Sequence, residues 1–489
     1  MKKLFGLIFR LLFLIIIVLL GVMLYNALTA NSKQIVAAPV EKILIGDEVL
    51  ENLARAIQLP TVSAGAIDSL AFKNLDTLLQ ETYPLIDSLL ERKVVNDFSY
   101  VYKWAGRNPR LNPILMLAHT DVVPVESSSE DKWTVPPFSG KIQDGYLWGR
   151  GTLDDKLEVF SMFEAAEMLL KEDYNPERTI YFAFGQDEEV GGMKGAIPIA
   201  KTFAEQGIEF EYILDEGSII LKKALDGLDK PLAMIGVTEK GYTTVTITAL
   251  LKEGGHSSMP PAETAVGVLS KAIVSLQEHP FPFKIDGATA NFFEYIGPES
   301  AFFQKILFTN LWLTEGLITA QLGKDNTSAA ILRTTTAPTM LRGGIKDNIL
   351  PTRASAKVNF RILPGETVES VATRVRQVIN DDRIVVEAGN EEMSSNPPPI
   401  SPSESFGFQV IQKTIAEAFP EVVVAPSLVI AATDARHYTG LSKNIYRFSP
   451  VTVNRSDLKT IHGIDEKIST EAYKDMIRFY RLLFLNSCQ

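Results

Sequence analysis

Cysteine is nearly absent from this 489-residue chain: one, Cys488, stands at the tail. A disulfide framework, a Cys-ligated zinc site and a cysteine nucleophile are thereby excluded. Histidine is scarce, five in all, so each can be weighed singly. A long basic run is missing, and Lys plus Arg (48) falls short of Asp plus Glu (59), a net charge of −11. Nucleic-acid affinity comes mainly from Lys and Arg neutralising phosphates, so no nucleic-acid partner is expected. Repeats and low-complexity tracts are lacking. Hydrophobic residues at 46% and charged residues at 22% are ordinary globular usage, which argues against collagen and disorder. No long apolar run follows residue 30, which argues against a multi-pass membrane protein.

One such run precedes it. Leu11 to Leu24 is unbroken and extends to Leu28 with Tyr25 and Asn26 at an interface. Eighteen residues at 1.5 Å rise span about 27 Å, close to one hydrocarbon core. Lys2, Lys3 and Arg10 precede the run, and no acid occurs before Glu41. That asymmetry holds the N-terminus in the cytoplasm and sends the rest across. Ala27-Leu28-Thr29-Ala30 is a poor cleavage site, so an uncleaved anchor over 1–30 is preferred to a cleaved signal peptide, which would give a secreted protein.

Residues 31–44 read as a tether. From 45 to 237 apolar strands alternate with helices: Ile114–Leu117 ending at His119, a helix over Lys156–Lys171, then strands at Ile180–Phe184 and Tyr212–Leu214. That order predicts an α/β catalytic domain with a mostly parallel sheet flanked by helices. Near 238 the pattern changes. Val245, Ile247, Ala249 and Leu251 alternate with threonines, a strand with one wet face. A helix over 262–278, strands at 334–341 and 355–362, a helix over 366–380 and a strand at 384–387 complete a β-α-β-β-α-β order. This predicts a ferredoxin-like α+β insert over 238–391. The apolar segment 283–330 inside it has no assignable pattern. Ser394–Pro402 reads as a hinge, and 392–489 as the second part of the catalytic domain, ending in a helix over 470–485.

The chemistry sits at strand ends. In A-H-T-D-V-V-P, His119 and Asp121 point to the same side of extended backbone. A metal-binding imidazole needs an acceptor for its second nitrogen, and Asp121 is placed for that. G-R-G-T-L-D-D-K puts Asp154 and Asp155 at a helix mouth; G-Q-D-E-E-V-G-G follows an apolar strand; L-D-E-G-S ends another; I-H-G-I-D-E offers His462 in a loop. A single acid in such a place is ordinarily a helix cap or solvated, and Asp-Asp-Lys alone could be dipole complementation. Together they mark the carboxyl end of an α/β sheet, where ligands bind. A mixed His and carboxylate set suits zinc, manganese or cobalt better than calcium.

H-T-D-V-V-P, W-G-R-G-T-L-D-D-K, D-E-E-V-G-G, G-G-H-S-S and H-G-I-D-E occur in this order over about 45–489. Together they resemble the aminoacylase/carboxypeptidase S family of co-catalytic zinc metallopeptidases, nearest its Gly-Xaa carboxypeptidase and N-acyl amino acid hydrolase branch. The resemblance implies two zinc ions per subunit, with cobalt or manganese as substitutes. Asp154 would bridge them, His119 and Asp215 would complete one, and Glu189 and His462 the other. Glu188 would be the general base and Asp121 the partner of His119. The Asp154–Asp155 peptide would be cis, as is typical of such enzymes. His256, Asn348 and Arg361 of the insert would polarise the carbonyl or grip a substrate carboxylate, which suits the planar fork of Arg361. Thr433, Asp434 and Arg436 would line the substrate pocket. The insert would act as a lid and, in a homodimer, pair two subunits.

The expected protein is a membrane-anchored, extracytoplasmic amidohydrolase. It would cleave an amide beside a free carboxylate, in a peptide, a dipeptide or an N-acyl amino acid. An aminopeptidase or small-molecule deacylase on the same metals is the first rival. A metal-free scaffold is the second, and it would be expected to lose ligands, yet none is missing.

Overall fold

The computed structural model describes residues 2–65, 67–389 and 394–489. The insert boundary expected at 391/392 lies outside the described residues.

A central sheet carries the main body. Its middle is parallel: Ile180–Gly185 pairs with Ile114–His119, which pairs with Tyr212–Asp215, which pairs with Ile445–Arg447. These strands read as apolar runs because both faces are covered. Ile114–His119 is buried at every residue. Beyond them the pairing is mixed, with Val423–Val429 parallel to Leu232–Glu239 and Thr452–Val453 parallel to Ile220–Leu221. Glu91–Val95 and Ser99–Trp104 form a hairpin on the outer side of Ile180–Gly185, while Leu232–Glu239 meets both Ile445–Arg447 and Ile220–Leu221 antiparallel. The sheet is therefore mixed rather than mostly parallel. Short adjoining strands can pair through tight turns, which parallel pairing would not allow.

The helix Lys156–Lys171 lies against this sheet and the final helix Thr470–Ser487. It is buried nearly all round, acids included. Glu164 accepts from Asn52 and from the Tyr83 hydroxyl, and Glu167 from the N–H groups of Leu85 and Ile86; Glu158 Oε2 accepts from the Tyr480 hydroxyl, while its Oε1 has no partner.

A second sheet has its own core. Its order is Thr335–Arg342, Arg353–Ile362, Gly241–Leu250, Ile384–Glu387, all antiparallel. Val245, Ile247, Ala249, Val358 and Phe360 pack against the helices Ala265–Glu278 and Val368–Ile379. This is the expected β-α-β-β-α-β unit. It leaves the central sheet through one residue, Lys240, between Leu232–Glu239 and Gly241–Leu250.

Three expectations are corrected. Segment 283–330 is four helices, Gly287–Ile296, Phe302–Phe308, Leu311–Leu322 and Asn326–Leu332. It is not part of the insert: Ala288, Phe293, Ile296 and Ile318 join the main core. Residues 31–44 are not a free tether. Gln34 exchanges two hydrogen bonds with the Val424 backbone, and Val40 N–H donates to Glu417 O. Ser394–Pro402 is pinned rather than loose, since Ser395 and Tyr242 exchange backbone bonds and Ser401 N–H donates to Val237 O. The apolar N-terminal run is a single helix, Lys2–Thr29, long and apolar enough to cross a membrane.

Candidate metal centre

Five chain segments converge near the carboxyl ends of the parallel strands. His119 ends its strand and is 1% exposed. Its Nδ1 donates to the Asp121 carbonyl at 3.0 Å, with the Asp121 carboxylate at 3.3 Å. Its Nε2 is thereby aimed at Asp154 Oδ1, 2.9 Å away, and Glu216 Oε1, 3.4 Å away. The other Asp154 oxygen lies 2.9 Å from His462 Nε2, which is 3.3 Å from Glu189 Oε1. Two groups of potential ligands result, His119–Asp154–Glu216 and Asp154–Glu189–His462, sharing Asp154.

Of the residues expected to hold metal, His119, Asp154, Glu189 and His462 lie together in these groups. Asp215 lies outside the cluster; its Oδ2 accepts from Ala435 N–H at 2.7 Å. Glu216 stands beside His119 in its stead. Adjacent residues at a strand end face opposite ways, and the two acids of L-D-E-G were the signal that two candidates existed.

The supports explain the geometry. Asp121 is fully buried and does more than face His119. Its two oxygens accept the N–H groups of Glu188 and Glu189, at 3.1 and 3.2 Å. One carboxylate thus ties the His119 strand to the turn bearing both glutamates. Asp187, first of the three acids, is structural: it accepts from Lys194 and Gly195 N–H, each at 2.8 Å. Sequence reasoning missed Glu466. It is buried, pairs with Arg150, and accepts from Leu153 N–H at 2.8 Å and Gly151 N–H at 3.0 Å. The loop before Asp154 therefore wraps around the last acid of the motif that carries His462. The Asp154–Asp155 peptide is cis, as expected, and His462 sits at φ +59°, an unusual value for a non-glycine residue.

The charges are poised for cations. Burial alone would lower the His119 pKa, but bonds to Asp121, Asp154 and Glu216 outweigh it and hold it well above the usual value. Bonds to Asp154 and Glu189 push His462 up to about 10. Burial would raise Asp154, yet its two histidines hold it below the ordinary carboxylate range. Burial, then the Asp154 charge, pushes Glu216 up to about 8. Burial also raises Glu188 well above the usual range. Glu189 Oε1 is buried, and His462 Nε2 at 3.3 Å is its polar neighbour. Two imidazoles with three carboxylates are a donor set suited to first-row metals.

The insert residues are not in this cluster. His256 is exposed on a two-residue ladder with Ile349–Leu350, its Nδ1 2.8 Å from Ser258 Oγ. Asn348 accepts from Ser257 N–H through its carbonyl. Arg361 stacks on Tyr242, 4.8 Å from the ring centroid. Burial lowers its pKa, Tyr242 opposes that, and the nearby Arg436 charge adds to it. Arg436 Nε donates to His437 Nε2 at 3.2 Å. Burial, then Arg436, lowers His437 to about 4. The neighbouring Thr433 and Asp434 are buried.

Known proteins share this architecture. The model of Peptidase family M20/M25/M40 matches residues 115–486. A probable carboxypeptidase S-like protein 2 of Dictyostelium discoideum is 42% identical over 447 residues, 90% of this chain and 85% of that one. The N-fatty-acyl-amino acid synthase/hydrolase PM20D1.1 of Danio rerio is 36% identical, covering 99% of this chain and 96% of its own. Among solved structures, the M20 family metallo-carboxypeptidase Sso-CP2 of Sulfolobus solfataricus superposes with a TM-score of 0.64 at 17% identity, covering 90% of this chain and 99% of that one. With a family model spanning most of its length and relatives similar over nearly all of it, the chain belongs to peptidase family M20/M25/M40 and is a metal-dependent amide hydrolase.

Proposed function

We propose that this enzyme hydrolyses the amide bond beside a free carboxylate, with two zinc ions held at the shared Asp154. The substrate class is a C-terminal peptide bond, a dipeptide or an N-acyl amino acid. The N-acyl reading draws support from the Danio rerio relative, whose name states that chemistry and which matches nearly the whole chain. The observation that carries the proposal is Asp154 itself, which faces a different imidazole with each oxygen.

His119 and Glu216 would hold one ion, Glu189 and His462 the other. When bound, the pair supplies a polarised carbonyl and a water of lowered pKa. The protein's own groups do the rest. Glu188 takes the proton of the attacking water and passes it to the leaving amine. Asp121 fixes Glu188 against His119 by holding its N–H. Arg361, with Arg436 beside it, grips the substrate carboxylate. His256 and Asn348 approach from the insert when it closes as a lid over the site, through a hinge at Lys240, and polarise the carbonyl. The insert would also be the surface of a homodimer. Lys2–Thr29 would anchor the enzyme with its body outside the cytoplasm.

The test uses the purified full chain in detergent. Elemental analysis should return two transition-metal ions, a chelator should abolish activity, and zinc should restore it. Blocked dipeptides, free dipeptides and N-fatty-acyl amino acids are then compared with their methyl esters. Equal rates on acids and esters would refute the carboxylate requirement. Activity in metal-free protein would refute the site.

A further inference from the structure

The helix Leu311–Leu322 turns apolar side chains outward: its threonines 314 and 319 are buried, while Trp312, Leu313 and Leu317 are 59%, 46% and 62% exposed, with Glu315 and Gln321 exposed at the margins of that face. A contiguous exposed apolar patch rimmed by polar residues marks a protein or membrane interaction surface. The preceding helix, Phe302–Phe308, adds Phe302 at 53% and Phe303 at 77%. The charged groups on the two helices are drawn back to the body, since Lys305 donates to Pro298 O and Glu315 accepts Ile285 N–H.

What lies beside this face says what covers it. Between the two helices sits Asn310, fully buried. Its Nδ2 donates to Met23 O at 3.0 Å, and its Oδ1 accepts from Asn26 Nδ2 at 2.8 Å and from Trp312 Nε1 at 3.2 Å. Met23, Asn26 and Ala27 lie on one face of the last two turns of the N-terminal helix. The 27 residues Lys3–Thr29 extend about 40 Å at 1.5 Å each, more than a hydrocarbon core of about 30 Å. The last two turns therefore emerge at the far interface, and Asn310 fastens the apolar pair there. A tryptophan at that level is where membrane proteins concentrate them.

The geometry points to a second membrane contact: helices Phe302–Phe308 and Leu311–Leu322 form an apolar pad that rests in the outer leaflet beside the anchor. This rests on the anchor reading above. Body and bilayer then meet at two places, which sets the orientation of the enzyme on the membrane rather than leaving it to swing on one helix.

Nature has supplied the probe. Trp104, Trp133 and Trp148 are buried, so among the described residues Trp312 is the one exposed tryptophan. The full chain is reconstituted into phosphatidylcholine vesicles brominated in the acyl chains. Flotation reports the anchor; tryptophan emission reports the pad. The expected result is flotation with quenching of the exposed emission component, and loss of that quenching in Trp312→Phe, which should float and keep its metal content. Phe303→Ser with Leu317→Ser should also float, but with reduced quenching. Flotation without quenching of Trp312 overturns the pad and leaves the anchor standing. Crosslinking through Trp312→Cys to a second copy, in place of quenching, assigns the face to self-association and equally overturns it. Failure to float overturns both.

Discussion

Asp215 and Glu216 stand side by side with separate duties, one holding the Ala435 backbone and the other facing His119. Substitution should separate them. Glu216→Gln should lower metal content and activity by at least the 10–100-fold typical of disturbed metal sites. Asp215→Asn should leave the metal content near two ions, because its carboxylate serves the 433–435 turn. Elemental analysis of both variants decides the matter. Glu466→Gln should behave like a ligand loss without being one, costing about 10–100-fold in metal affinity, because three N–H groups before Asp154 lose the charge that gathers them. His119, Asp154, Glu189 and His462 were legible because each stands in a short motif at a strand end or loop. Glu216 and Glu466 were not. Choosing between neighbouring acids needs the strand's facing, and a support 312 residues away from Asp154 in sequence leaves no local trace.

Strands and helices were read best where one period dominates. The alternation of Val245, Ile247 and Ala249 with threonines appears as a strand buried on one side, and Lys156–Lys171 begins and ends as its apolar spacing indicated. Leu311–Leu322 defied reading because its apolar residues follow no face, and 31–44 because its partners, Val424 and Glu417, are remote. The insert carries the next prediction. Its link to the central sheet is short, and His256 lies exposed and outside the metal cluster. Closure would bring it over the site. His256→Ala should lower turnover by about 10²–10³-fold, the usual loss for one oxyanion donor, with unchanged metal content. Mixing His256→Ala with Glu188→Ala subunits tests for action across a dimer. Exchange of subunits without return of activity places the histidine over its own site, and normal turnover in His256→Ala removes the lid role.

At the scale of the whole molecule, the metal site should govern how stability responds to pH. Burial raises Glu158 and Glu216 to about 8 and Glu466 to about 7, from an ordinary value near 4.5. Without metal, the folded protein then holds more protons than the unfolded chain between about pH 4.5 and 7, so its stability falls as pH rises through that window. His462 acts in the same direction above about 6.5, since its raised pKa stabilises the fold below that value and the benefit fades towards 10. His437, lowered to about 4, opposes the trend between about pH 4 and 6.5 with a single proton against three, and Lys156, lowered to about 7, opposes it above that pH. Metal displaces these protons. Melting temperatures of chelated protein should therefore drop from pH 5 to 7 while those of the zinc form stay flatter; parallel curves would contradict this. Proteases added outside intact cells should reach the body beyond residue 31, and cleavage only from the cytoplasmic side would reverse the charge argument from Lys2, Lys3 and Arg10. The embrace of the Asp154 loop by Glu466 has a consequence for biosynthesis. His462 and Glu466 follow Asp154 in the chain only after the whole insert, so a chain still emerging from the ribosome holds His119 and Asp154 before the loop that faces them. A polypeptide truncated before residue 462 should therefore lack hydrolytic activity.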